Sequence, residues 1–242
     1  MLENVKIEDV LFIDIETIPS VSDYNLLDDS MKVLWDKKAK QIKTEEQTSE
    51  DVYEKAGIYS EFGKIICISV GLISEKNPYS LRLKSFYGDD EKTVLEDFSA
   101  MLSKFAKPPK EALLCAHNGK EFDYPYIARR MVINNVKIPK LLDNAGKKPW
   151  EVKLLDTMEL WKFGDYKSYT SLDLLTTVLG IPTPKDDIDG SKVAGIYYGE
   201  NDIERIVRYC EKDVVAIAQV LLRFMNKPLI EADRVVSVTF SG

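Results

Sequence analysis

The chain opens on a short, unbroken apolar run, Val10-Leu11-Phe12-Ile13, that ends at Asp14. A run of this length bounded by a polar residue predicts a strand buried on both faces. Residues 28–57 are charged but carry Met31, Leu34, Trp35, Ala39 and Ile42, which predicts one or two surface helices inserted between strands. Lys64 to Ser74 is apolar and rich in β-branched residues, and Leu81 to Tyr87 alternates. The two predict a hairpin turning through Glu75-Lys76-Asn77-Pro78. From Asp89 to Phe105 the apolar positions Val94, Leu95, Phe98, Met101, Leu102 and Phe105 step at a helical period, and Pro108-Pro109 stops the helix.

Beyond it, Ala112-Leu113-Leu114-Cys115-Ala116 predicts a further buried strand, followed by a helix over about Tyr124 to Asn134 and a short strand at Lys153 to Asp156. Ser171 is placed to cap a helix through Leu179, ended by Gly180 with Pro182 just beyond. A last long helix is predicted from about Asn201 to Phe224, because Ile203, Ile206, Val207, Cys210, Val214, Ile217, Leu221 and Phe224 recur every three or four residues. Three strands, a helix, then alternating strands and helices predict an α/β fold with a mixed central sheet flanked by helices. No repeat or low-complexity linker interrupts the chain, so residues 1–242 are expected to form one domain, with 227–242 as an extra C-terminal segment.

Composition narrows the function classes. At 45% hydrophobic and 30% charged residues, a sizeable core and a soluble surface are expected. The longest apolar stretch, around Ile65 to Ile73, is too short to span a bilayer. Cys67, Cys115 and Cys210 lie apart in apolar surroundings, as free thiols of a reducing compartment do, and Met1-Leu2-Glu3-Asn4 does not begin a signal peptide; a cytoplasmic protein is expected. His117 is the only histidine, which excludes a multi-histidine zinc site. The net charge of −7 argues mildly against coating nucleic acid with a basic surface, yet is compatible with gripping one end of a strand through metal ions.

Three acidic elements remain. Asp14 and Glu16 alternate at a strand end and so project to one face, where like charges raise each other's pKa unless a cation lies between them. His117-Asn118-Gly119-Lys120-Glu121-Phe122-Asp123 leads from a strand into a helix. Tyr209 and Asp213 sit four residues apart on the last helix, flanking its apolar stripe. Taken singly, each has an ordinary explanation: a solvated strand-end pair, an Asn-Gly turn before a helical aspartate, a tyrosine over an aspartate.

Together, in this order, they resemble the Asp-x-Glu, Asn-x3-Phe-Asp and Tyr-x3-Asp motifs of the DEDD 3′→5′ exonucleases, the tyrosine placing the likeness in the DEDDy subgroup. Lys167-Ser168-Tyr169-Thr170-Ser171-Leu172, Gly180-Ile181-Pro182 and Asp189-Gly190-Ser191-Lys192-Val193 are similar to the predicted exonucleases related to the proofreading domain of family B DNA polymerases. The resemblance implies a ribonuclease H-like fold. It also implies that Asp14, Glu16, Asp123 and Asp213 hold two divalent cations, Mg²⁺ or Mn²⁺, with Tyr209 orienting the attacking water. Asn118, Phe122 and Thr17 are the implied contacts to the terminal nucleotide of a single-stranded nucleic acid, DNA favoured over RNA by the polymerase relationship. The mixed cations and aromatics of Trp161 to Tyr169 suit stacking on a strand, or equally a packed aromatic loop. A catalytically silent scaffold of the same fold is the rival; such a protein usually lacks a carboxylate, and all four are here. No Gly-x4-Gly-Lys-Ser/Thr or Gly-x-Gly-x-x-Gly is present, which sets aside P-loop and dinucleotide-binding enzymes.

Overall fold

A computed structural model describes residues 2–76, 78–165, 169–182 and 188–240. Its centre is a six-stranded mixed sheet in the order β5-β4-β1-β2-β3-β6. The strands are β1 (Val10–Pro19), β2 (Gly63–Ser74), β3 (Ser80–Tyr87), β4 (Leu113–Ala116), β5 (Leu154–Asp156) and β6 (Val235–Ser237). β1, β2 and β3 run antiparallel, whereas β4 and β5 join β1 in parallel and β6 pairs parallel with β3. The hairpin from β2 to β3 is as expected, although Asn77 of its turn lies outside the described residues.

β1 is covered on both faces, which is why its sequence starts as a continuous apolar run. Leu11, Ile13 and Ile15 pack with Leu95, Phe98 and Ile127 from the helices α2 (Glu91–Phe105) and α3 (Asp123–Ile133). Phe12 points the other way, into a core with Val214, Ile217 and Leu221 of α7 (Ile203–Phe224). Asp14 and Glu16 share the parity of Phe12 and therefore also face α7. The expected long helix begins two residues late, because Asn201 takes a left-handed φ of 54° after a π-helical turn at Ile196–Glu200, and Asp202 then caps Arg205 N–H.

Two regions differ from the sequence expectation. Residues 28–57 hold one α-helix, α1 (Asp29–Ala39), and a 3₁₀ turn at Tyr53–Ile58, and these bury a core of their own. Trp35 is fully enclosed there, its ring edge-on to Tyr53 at 5.4 Å and to Phe62 at 5.2 Å, with Nε1 donating to Ser49 O at 2.8 Å. The insert thus holds one of the one or two expected helices, and it packs as a small lobe around its own core instead of lying on the surface. The C-terminal segment adds the edge strand β6, anchored by hydroxyls of Ser237 and Thr239 that donate to buried Glu211 of α7. Two short helices absent from the expectation, α4 (Thr157–Lys162) and α6 (Val193–Gly195), accompany α5 (Leu172–Val178), whose cap Ser171 accepts from Leu174 N–H as expected. All three cysteines are free and buried, and among the described residues no helix is long and apolar enough to cross a membrane.

Candidate active site

The three acidic elements converge where β1, the start of α3 and the middle of α7 meet. Asp14 and Glu16 lie on β1, and a register shift against β2 between Glu16 and Thr17 re-aims the strand just past them. Asp14, Glu16 and the thiol of Cys210 place ligand-type atoms within 4.8 Å of one another. The Cys210 Sγ–H donates to Asp14 Oδ2 at 3.3 Å, and burial pushes its pKa up, so it acts as a thiol donor and not as a thiolate ligand. Asp123 and Asp213 act on this knot through charge.

Burial is the largest influence on Asp14 and Glu16 and raises both carboxyls well above the usual range. The charge of Asp213 adds to it, followed by that of Asp123. Asp123, itself buried, is pushed up to about 7, again mainly by desolvation, although backbone hydrogen bonds from its own N–H and from Ile15 oppose the shift. Tyr209 hydrogen-bonds Asp213 one helical turn along α7, and burial followed by the charges of Asp213, Glu16 and Asp14 holds its phenol protonated. Four carboxylates gathered in a low-dielectric corner, with the charge of Asp213 raising the other three, are costly when ionised together. A bound cation reverses the sign of that interaction, and an all-oxygen donor set suits a hard divalent ion. The donor set therefore fits the implied cations.

The loop carrying Asn118 is held by a residue to which the sequence reading gave no role. Asp156, 3% exposed at the end of β5, accepts from the backbone N–H of Asn118 (3.0 Å), Lys120 (3.0 Å), Met158 (2.9 Å) and Glu159 (3.2 Å). It caps α4 and ties down the loop before Asp123 with one carboxylate. The cue in the sequence was an aspartate closing a strand that directly precedes a helix. Gly119 in this loop is obligatory on steric grounds, since a Cβ there would sit 2.4 Å from that of Ala116.

Of the implied substrate contacts, Thr17 and Phe122 line a common cavity of about 420 Å³ next to Glu16. Phe122 packs on Tyr126 with ring centroids 5.3 Å apart, and the Tyr126 hydroxyl reaches the Thr17 side chain. Asn118 is not part of that lining. Its backbone has φ 60°, and its side-chain Oδ1 is buried with no hydrogen-bond partner among the described residues. His117 is a structural tie: Nε2 donates to Thr170 O at 2.9 Å, which leaves Nδ1 facing Thr157 Oγ1, also at 2.9 Å. In the aromatic segment, Trp161 stacks on Phe224 at 6.1 Å, so this ring serves packing, whereas Phe163 and Tyr169 are exposed. Tyr166, Lys167 and Ser168 lie outside the described residues.

Comparison with known proteins bears on the fold and the family. The structure of the family B DNA polymerase from the hyperthermophilic archaeon Pyrobaculum calidifontis is similar over 90% of this chain, with a TM-score of 0.52 at 15% identity. The chain covers 24% of that polymerase's length, and the likeness bears on the fold, consistent with a ribonuclease H-like architecture. No curated protein matches the sequence. A family model described as a predicted 3′-5′ exonuclease related to the exonuclease domain of PolB matches residues 58–232, a stretch that includes Asp123, Tyr209 and Asp213, with Asp14 and Glu16 preceding it. The chain belongs to this family of predicted 3′-5′ exonucleases.

Proposed function

We propose that the protein hydrolyses the terminal phosphodiester at the 3′ end of single-stranded nucleic acid, DNA in preference to RNA, and releases nucleoside 5′-monophosphates. The observation that carries this reading is the electrostatic coupling of Asp14, Glu16, Asp123 and Asp213, brought together from β1, α3 and α7. These four are the proposed ligands of two divalent cations, Mg²⁺ or Mn²⁺. When bound, such ions supply an activated water and neutralise the charge on the leaving 3′-oxygen.

The remaining chemistry belongs to the chain. Tyr209, kept protonated beside Asp213, donates a hydrogen bond and orients the water; it is too weak an acid to serve as a base at neutral pH. Phe122 offers a face for the terminal base, and Thr17 lies at the same cavity edge as Glu16. Asn118 is kept as a contact on the strength of the motif, since its unpartnered Oδ1 is buried and outside the lining of this cavity.

The test is cleavage of 5′-labelled single-stranded DNA and RNA in Mg²⁺ or Mn²⁺. Stepwise shortening from the 3′ end, abolished by Asp14→Ala, is expected. Equal cutting of a circular or 3′-phosphorylated substrate contradicts an exonuclease, and absence of metal-dependent hydrolysis on every DNA and RNA offered favours the silent scaffold.

A further inference from the structure

The cavity beside Glu16 is built partly by the insert. β1 supplies Glu16 and Thr17, the start of α3 supplies Phe122, the 3₁₀ turn supplies Lys55, Gly57 and Ile58, and residues 190–194 complete the lining. Glu54, Lys55 and Gly57 precede residue 58, where the family match begins, so this side of the cavity is read from the chain's own geometry. At about 420 Å³ the space is near the lower end of ligand cavities, roughly 300–1,000 Å³.

The turn is fastened to the catalytic framework from three directions. Tyr126 on α3, one turn after Asp123, donates from its hydroxyl to Gly57 O at 2.8 Å. Arg130, a turn further on, donates to Ser60 O at 2.8 Å while its Nε donates to the buried carboxylate of Glu91, also at 2.8 Å. Gly57 lies directly against β1: a Cβ there would be 3.1 Å from the backbone of Ile18, so the two chains approach as closely as glycine allows. Behind the turn stands the core around Trp35. Such a surface is set in place, unlike a mobile loop. Glu54 and Lys55 cancel in charge, so selection at this surface acts through shape, and Ile58 presents the apolar bulk.

We infer that residues 54–58 of the insert form the end wall of the nucleotide pocket, sized for one 3′-terminal nucleoside and closed to a continuing strand. The wall rests on the exonuclease reading and explains how that activity is confined to a chain end. Phe122 and Ile58 line the same cavity from α3 and the insert, and the fixed turn stands where a strand continuing past the terminal nucleotide would run. The class of ligand is a 3′-terminal nucleotide or the nucleoside 5′-monophosphate product.

The experiment compares wild type with Ile58→Trp, a change that fills the cavity from a side chain already 55% exposed and so leaves folding intact. Binding of a nucleoside 5′-monophosphate in Mn²⁺ and cleavage of a 3′-hydroxyl oligonucleotide are both measured. The variant is expected to lose about 10-fold or more in each, the scale of apolar pocket discrimination, while its thermal stabilisation by Mn²⁺ alone matches wild type. If wild type cuts and Ile58→Trp binds and cuts equally well, the wall is overturned and the exonuclease reading stands. Mononucleotide binding that Ile58→Trp abolishes, in a wild type that never cuts, keeps the wall and overturns the exonuclease reading. Neither binding nor cutting by wild type overturns both.

Discussion

Replacing Asp156 with asparagine tests how the loop before Asp123 is held. The carboxylate accepts three N–H groups at Oδ1 (Asn118, Met158, Glu159) and one at Oδ2 (Lys120). Asparagine keeps one oxygen, so if it stays on the Oδ1 side an amide NH₂ faces the Lys120 N–H, donor against donor. A hydrogen bond to a charged group contributes about 1.5–3 kcal/mol, and a buried donor left unpaired costs about 1–3 kcal/mol. The lost negative charge also relieves Asp123, whose carboxyl it raises, but that effect ranks below desolvation and a backbone hydrogen bond. The hydrogen-bond loss wins, with a net cost of about 2–3 kcal/mol, or roughly 4–12 °C in Tm for a chain of this size. Displacement of the loop misplaces Asn118 and Asp123, and a shift of about 1 Å costs on the order of 100-fold in rate. Differential scanning calorimetry with single-turnover cleavage measures both. A Tm within about 1 °C of wild type together with an unchanged rate would refute the assigned role of Asp156.

Three further outcomes are expected. With chelator present, stability should fall as pH rises from about 5 to 8: the folded carboxyls, Asp123 at about 7 among them, hold protons that the unfolded chain has released, and each contribution is lost as pH passes the folded pKa. Saturating Mn²⁺ should flatten this slope and, at 100 times Kd, add ~2.7 kcal/mol; a melting curve insensitive to both pH and metal contradicts the coupling. Asp213→Asn removes the charge that, after desolvation, most raises the carboxyls of Asp14 and Glu16, so it should raise the chelated protein's Tm while abolishing cleavage, and a lowered Tm counts against it. Tyr209→Phe keeps the ring but loses the donor; a fall of about 10-fold to 100-fold in kcat with Mn²⁺ affinity unchanged is expected, and an unaltered kcat removes the hydroxyl from the mechanism.

Much of the fold was legible because burial leaves a period in the sequence. The apolar run before Asp14 marks a strand covered on both faces, and the steps of three and four in α7 mark the stripe that packs on Phe12, Leu81 and Leu83. The site motifs were legible for a related reason: alternation on β1 and a four-residue step on α7 fix which side chains share a face. What stayed hidden depends on contacts distant in sequence. β6 is only three residues long and pairs with a strand some 150 residues earlier, so nothing local announces it. Asp156 matters through four backbone N–H groups, and main-chain donors leave no mark on residue identity. The insert's helical composition was readable, but Trp35 packs against Tyr53 and Phe62, well along the chain, and the turn beside Glu16's cavity is held by Tyr126 and Arg130 on α3.

Cation binding by the four carboxylates is tested most directly by crystals soaked in Mn²⁺ with a nucleoside 5′-monophosphate, read by anomalous scattering. Two manganese peaks coordinated by Asp14, Glu16, Asp123 and Asp213, both lost in Asp14→Ala, are predicted. Millimolar Mn²⁺ with no peak among these carboxylates, or with peaks ligated only by other residues, would contradict the account.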